Sequence, residues 1–193
     1  MLSLDVLIRE AEIAHGHLCA GQILGVRLAM LGLAKLAIED PRGKDRKRLV
    51  TFVEIDRCAT DAIGVVTGCR LGKRALKFRD WGKMAATFID LETGKAIRIA
   101  AKESSKKLAR ELHPEIENKN QQQMLAYREM KDDDLFSMQW VRVELPAEEF
   151  PGYKGDRIVC AECGEGINFR REVERDGRIL CRACAGEKYY EVL

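Results

Sequence analysis

Two pairs of cysteines constrain the fold of this chain more than any other feature. They read Cys160-Ala-Glu-Cys163, then 17 residues, then Cys181-Arg-Ala-Cys184. Two residues between paired cysteines let both sulfurs turn toward one point from a tight knuckle. Two knuckles supply four thiolates in a tetrahedron, the arrangement of a closed structural zinc site. Iron held by four thiolates uses the same spacing, and two disulfides are the remaining alternative. The segment 155–193 is too short to bury a sizeable core, and a domain of that size normally needs a staple.

The rest of the composition describes an ordinary globular chain. It is 46% hydrophobic and 33% charged, with a formal net charge of +2. That charge argues against a general nucleic-acid binder and against a membrane-surface protein. Asp5, Arg9 and Glu10 interrupt the first apolar run, so no secretory signal is read there. The most apolar window, Leu18 to Ile38, carries Arg27 at its centre and Lys35 near its end. It reads as a buried helix, because a central arginine is costly in a membrane span. Seven cysteines without a secretory signal point to a reducing cytoplasm and to metal or redox use.

The composition changes at 146–157, Pro-Ala-Glu-Glu-Phe-Pro-Gly-Tyr-Lys-Gly-Asp-Arg, which reads as a linker. Residues 1–150 form the expected main domain and 155–193 the four-cysteine domain. In the main domain Ser3 can cap a helix with apolar residues at Leu4, Leu7, Ile8 and Ala11, ending near Gly16. A second helix is expected from about Gly21 to Ile38. Gly21, Gly25, Ala29 and Gly32 share one of its faces and admit a close neighbour, within the chain or in a dimer. Strands are expected over Leu49–Ile55, Met84–Leu91, Lys95–Ala101 and Gln139–Leu145. Helical patterns cover Ala59–Val66, Lys102–His113 and Asn118–Lys131. The fold class is therefore α+β: a mixed sheet with helices packed on it.

A second constellation lies between the first two helices: His15-Gly16-His17-Leu18-Cys19-Ala20-Gly21. Imidazoles and a thiol at alternate positions project to one side of an extended segment. Cys19 opens the second helix, where backbone N–H groups and the helix dipole favour a thiolate. The bland reading is a turn whose histidines satisfy backbone carbonyls. Two further cysteines flank the short helix, in Asp56-Arg57-Cys58-Ala59-Thr60-Asp61-Ala62 and Thr67-Gly68-Cys69. Most free cysteines are inert and buried, but Cys58 has polar company at a strand-to-helix turn, where sites are often built.

These three elements resemble the motifs of the E-subunit family of formylmethanofuran dehydrogenase. His15, Gly16, His17, Cys19 and Gly21 match a His-Gly-His-x-Cys-Pro-Gly element. Asp56, Cys58, Asp61 and Ala62 match Asp-x-Cys-x-x-Asp-Ala, and Thr67, Gly68 and Cys69 match Thr-Gly-Cys. Ala20 stands where the family usually has proline. The resemblance implies a fold similar to the catalytic domain of glyceraldehyde-phosphate dehydrogenase, with a zinc-knuckle appendix as found in some members. It implies an accessory component of a molybdenum or tungsten dehydrogenase of one-carbon metabolism, or a metal-handling relative. The chain has no feature for a pterin, a ferredoxin-type cluster or a metal-dependent hydrolase.

The expected sites are thus two. Cys160, Cys163, Cys181 and Cys184 hold structural zinc. His17, Cys19, Cys58 and Cys69 converge on a second transition-metal ion, zinc by preference, with His15 and Asp61 in or near the ligand shell. The expected partners are other subunits of such a dehydrogenase and a second copy of the chain. A stand-alone metal-dependent enzyme built on the same cluster is the alternative, and a zinc-knuckle binding module is a weaker one. The segment Lys73 to Lys83 is basic, with Lys73, Arg74, Lys77, Arg79 and Lys83 against Asp80. It reads either as a solvated face or as a surface for an acidic partner, with Trp81 as an anchor.

Overall fold

Ser3 sits in extended backbone, and its hydroxyl accepts the Val6 N–H, which starts helix α1, Leu4–His15. Gly16 ends it in the left-handed region, at φ 94°, returning its N–H to the Glu12 carbonyl. Helix α2, Ala20–Lys35, begins after a short connection. It stops short of the expected Ile38 because Ala37 takes a positive φ of 53° and Ile38 folds its N–H back onto Leu33. The computed structural model describes all residues, 1–193, in two units, Met1–Val143 and Glu144–Leu193.

The first unit is built on a five-stranded sheet. Its strands are β1 Leu49–Val53, β2 Leu76–Phe78, β3 Ala85–Asp90, β4 Ala96–Ala101 and β5 Phe136–Val141. Their order is β2-β1-β3-β4-β5, parallel between β1 and β2 and antiparallel elsewhere. The crossover between the parallel strands is helix α3, Cys58–Thr67. Helices α4 (Ser104–Leu112), α5 (Lys119–Glu129) and the short α6 (Asp132–Leu135) lie between β4 and β5. The architecture is α+β with a mixed sheet and helices, as read from the sequence. Two elements were not read there: the three-residue β2 and the single turn α6. The last strand also begins at Phe136, ahead of the expected Gln139.

One core joins α1, α2, α3, α5 and the sheet through Leu7, Ile23, Leu33, Ile63, Phe88 and Ile97 among others. The small-residue stripe of α2 decides how closely these layers approach. A Cβ on Gly25 would stand 2.5 Å from the Ala59 carbonyl oxygen and 2.8 Å from its Cα, so α3 backbone lies directly on α2. A Cβ on Gly32 would clash with the Phe88 ring. The stripe that could have served a dimer is therefore occupied within the chain.

Several buried charges are paired. Arg98 on β4 meets Glu54, just past β1, in a two-pronged contact of 2.7 Å on both arms. Arg27 resolves the charge inside the apolar window of α2. Its guanidinium donates to the carbonyls of Tyr127 and Met130 at the end of α5, at 2.8 and 2.6 Å, and pairs with Asp132. It thereby satisfies carbonyls that the helix end leaves open. No helix is long and apolar enough to cross a membrane.

The second unit consists of two small hairpins. Strands β6 (Ile158–Val159) and β7 (Gly166–Ile167) flank the first knuckle, and β8 (Val173–Arg175) and β9 (Arg178–Leu180) precede the second. Asp176 and Gly177 join β8 to β9 with φ of 51° and 71°, the two positive values a tight two-residue hairpin requires. Its apolar core is Ile167 and Leu180 packed on cysteine side chains.

Candidate metal centres

The four knuckle cysteines meet. Their sulfurs all lie within 4.8 Å of one another, with Cys163 and Cys181 3.9 Å apart. Bonds of about 2.3 Å to zinc put the edges of a sulfur tetrahedron at about 3.8 Å. In the first knuckle the Gly164 N–H returns to the Cys160 carbonyl at 3.1 Å, and in the second the Ala185 N–H returns to Cys181 at 2.9 Å. N–H groups also point at sulfur: Cys181 to Cys160 at 3.2 Å and Cys184 to Cys181 at 3.4 Å. Backbone N–H groups of Cys163 and Cys181 bring the Cys160 thiol down to about 6. Burial and the crowding of three other sulfurs push Cys184 well up. Four thiols so placed shed all four protons only against a bound dication, which is the chemistry of a closed zinc site.

The main-domain residues come from three elements. His15 closes α1, His17 and Cys19 lie in the connection, and Cys19 is the residue before α2. Cys58 opens α3 a short turn beyond the end of β1, and Asp61 lies in the first turn of that helix. The His15 Nδ1 is 2.8 Å from Asp61 Oδ2, and the His15 and His17 rings lie 4.7 Å apart between centroids. The Cys19 thiol lies close enough to the Cys58 thiol to raise its pKa. A Cβ on Gly21 would touch both, at 3.7 Å from the Cys19 sulfur and 3.6 Å from the Cys58 Cβ. Two helix N-termini thus bring two thiols together beside two imidazoles.

Burial, followed by the contact with Cys19, pushes the Cys58 thiol up, and its own N–H and Arg57 offset this only in part. Cys58 therefore keeps its proton near neutrality until a cation displaces it. The donors approach in pairs; they do not form a group of three or more within 4.8 Å of one another, as the knuckle cysteines do. Soft thiolates and imidazoles with one histidine oriented by a carboxylate suit zinc or a similar transition metal.

Cys69 does not join them. It lies just past the end of α3, and ten helical residues span about 15 Å. It is only 3% exposed. Its sulfur accepts from the Thr51 hydroxyl at 3.5 Å and lies 3.8 Å from the Leu49 carbonyl. Burial pushes its thiol up, and its contacts are with β1 and not with the pair Cys19 and Cys58.

Two positioning residues escaped the sequence reading. Gln22 is fully buried and bridges the connection: its amide donates to the Ala11 carbonyl at 3.0 Å and accepts the Cys19 N–H at 3.2 Å. A lone glutamine inside an apolar helix was the available signal. Asn120, at the start of α5, accepts the Ala20 N–H through Oδ1 at 3.0 Å. Nothing in the sequence marks that contact, but it explains the departure from proline at position 20, since proline has no N–H to give.

Residues 14–137 match the family model described as "FmdE, Molybdenum formylmethanofuran dehydrogenase operon". The chain belongs to the FmdE family. Residues 153–190 match a second model, the prokaryotic dksA/traR C4-type zinc finger, which agrees with the four-sulfur geometry of the second unit. A tungsten formylmethanofuran dehydrogenase FmdE-like protein from Syntrophus aciditrophicus shares the fold, with a TM-score of 0.65 over 98% of this chain and 96% of that one, at 19% identity. A protein of Archaeoglobus fulgidus, named as a probable S-adenosyl-L-methionine-binding protein, is 31% identical over 97% of this chain. The chain spans 54% of that relative's length. This FmdE protein therefore combines the family domain with a C4 zinc finger.

Proposed function

We propose that this FmdE-family protein is a metal-handling accessory protein of a molybdenum or tungsten dehydrogenase of one-carbon metabolism. Its main domain would bind one transition-metal ion exchangeably, and its zinc finger a second, structural ion. The observation that carries the reading is the meeting of Cys19 with Cys58 at two helix N-termini, beside His17 and the Asp61-oriented His15. When bound, the ion would supply Lewis acidity at that point. The protein's own groups would do the rest. Asp61 holds the His15 ring so that Nε2 faces away from the carboxylate, Gln22 fixes the Cys19 backbone, and the two thiols release protons to the cation.

An exchangeable site is favoured over a second staple. A unit of this size buries enough apolar surface to fold unaided. The pairwise spacing of the donors also suits a site that opens and closes better than a closed tetrahedron.

Cobalt(II) titration of protein that carries zinc in the finger alone, its main-domain site first emptied with a mild chelator, tests the reading. A second equivalent should bind with a thiolate-to-metal charge-transfer band, and both binding and band should disappear in Cys19→Ser while the finger keeps its zinc. Protein with a zinc-filled finger and an emptied main-domain site that takes up no cobalt would refute it.

A further inference from the structure

The basic segment that follows α3 plays no part in either metal centre, and its surroundings separate its two readings. Across the rest of the first unit the arginines are largely paired: Arg27, Arg42, Arg48, Arg98 and Arg128 each meet a carboxylate. Arg70, Lys73, Arg79 and Lys83 are exposed and make no ion pair. Interleaved with them are exposed apolar side chains, Leu71 at 66% and Trp81 at 60%, together with Phe78. Arg79 stacks over the Phe52 ring at 5.2 Å, and the Lys83 ammonium stands 5.8 Å from the Trp81 ring centroid. A face kept for water alone has no use for a tryptophan and a leucine among its charges.

We propose that this strip, on the β2 edge of the sheet, docks an acidic, extended segment of another protein that carries an apolar anchor. The partner's carboxylates would meet Arg70 and Lys73 at one end and Arg79 and Lys83 at the other, and its anchor would lie between Leu71, Phe78 and Trp81. The chain from Lys73 to Arg79 spans at most about 22 Å, so a short extended peptide reaches both ends. Strand addition is not the mode. The outer edge of β2 is partly closed, with the Leu76 N–H spent on the Arg70 carbonyl and the Phe78 carbonyl on the Arg79 guanidinium. Side chains, not backbone, carry the recognition. The aliphatic Leu71 favours a protein over single-stranded nucleic acid, whose bases stack on aromatic rings.

The test uses the full chain and a fluorescein-labelled, glutamate-rich peptide with one central leucine, followed by anisotropy. A single-stranded oligonucleotide of equal charge is the competitor. Binding is expected at low salt and should weaken as salt rises. Trp81→Ala and the double variant Arg79→Glu/Lys83→Glu should each weaken it at least about tenfold. Lys107→Glu on α4 should leave it unchanged. If the Arg79 variant loses its fold with the Phe52 contact, Arg70→Glu/Lys73→Glu carries the same expectation, because those side chains hold nothing in place. No binding, equal binding by all variants, or tighter binding of the oligonucleotide than of the peptide would each overturn the proposal.

Discussion

Asp61 Oδ2 lies 2.8 Å from His15 Nδ1, across two helices and 46 residues of sequence. The contact fixes one nitrogen of the ring and leaves the other directed away from the carboxylate. Carboxylates behind ligating histidines typically contribute 10–100-fold, as an order of magnitude, to metal affinity. Asp61→Asn should weaken cobalt binding at the main-domain site by a factor in that range, roughly 30-fold. The zinc content of the finger and the melting temperature should stay near the parent values, because Asp61 is largely exposed. Competition with a chromophoric chelator measures the shift.

The zinc finger should behave as a separate folding problem. Its apolar core is Ile167 and Leu180 with the cysteines, far too little for so short a segment. Cys163→Ser, or a strong chelator, should unfold residues 153–190 while the helical signal of the first unit persists. Proteolysis followed by mass spectrometry would show cleavage confined to the second unit.

Much of this was legible in the sequence, and the exceptions have physical causes. Ser3 and Gly16 cap helix α1 where local chemistry predicts, because a cap depends on its immediate neighbours. The three residues of β2 and the four of α6 are too short to show a period, and β5 was displaced with them. The paired spacing of the knuckle cysteines determined their meeting. The motif spacing does not show that the ten residues of α3 hold Cys69 apart from Cys58. The Gln22 and Asn120 contacts depend on tertiary placement, and only Gln22 left a trace.

Position 20 offers a double-mutant cycle. Asn120→Ala should cost about 1 kcal/mol in the parent, the ordinary worth of one hydrogen bond. Proline is well tolerated at a first helical position, so Ala20→Pro removes the N–H with little strain of its own. In that background Asn120→Ala should cost nearly nothing. Denaturant melts of the four proteins give the coupling directly.

Gly25→Ala should be damaging for so small a change. The added methyl meets α3 backbone at Ala59, which cannot swing aside as a side chain end can. A loss of about 1–3 kcal/mol is expected. Because Ala59 follows Cys58, the same change should also weaken metal binding at the main-domain site.

Acid should destabilise the first unit through Asp90. Burial raises this carboxyl, but hydrogen bonds from Arg48, Thr93 and the Glu92 N–H outweigh it, so its pKa lies below the usual Asp value. A depressed carboxyl contributes its full stabilisation above the unfolded pKa of about 3.9, and this is lost as pH falls through the folded value. The melting temperature should therefore fall steeply below about pH 4, and Asp90→Asn should be less stable at neutral pH with a shallower acid limb.

Metal content of the purified protein, measured by elemental analysis in the parent, Cys58→Ser and Cys69→Ser, is the most direct check on the two-centre arrangement. The account predicts two ions per chain in the parent, one in Cys58→Ser and two in Cys69→Ser. One ion in the metal-loaded parent, or loss of an ion on replacing Cys69, would contradict it.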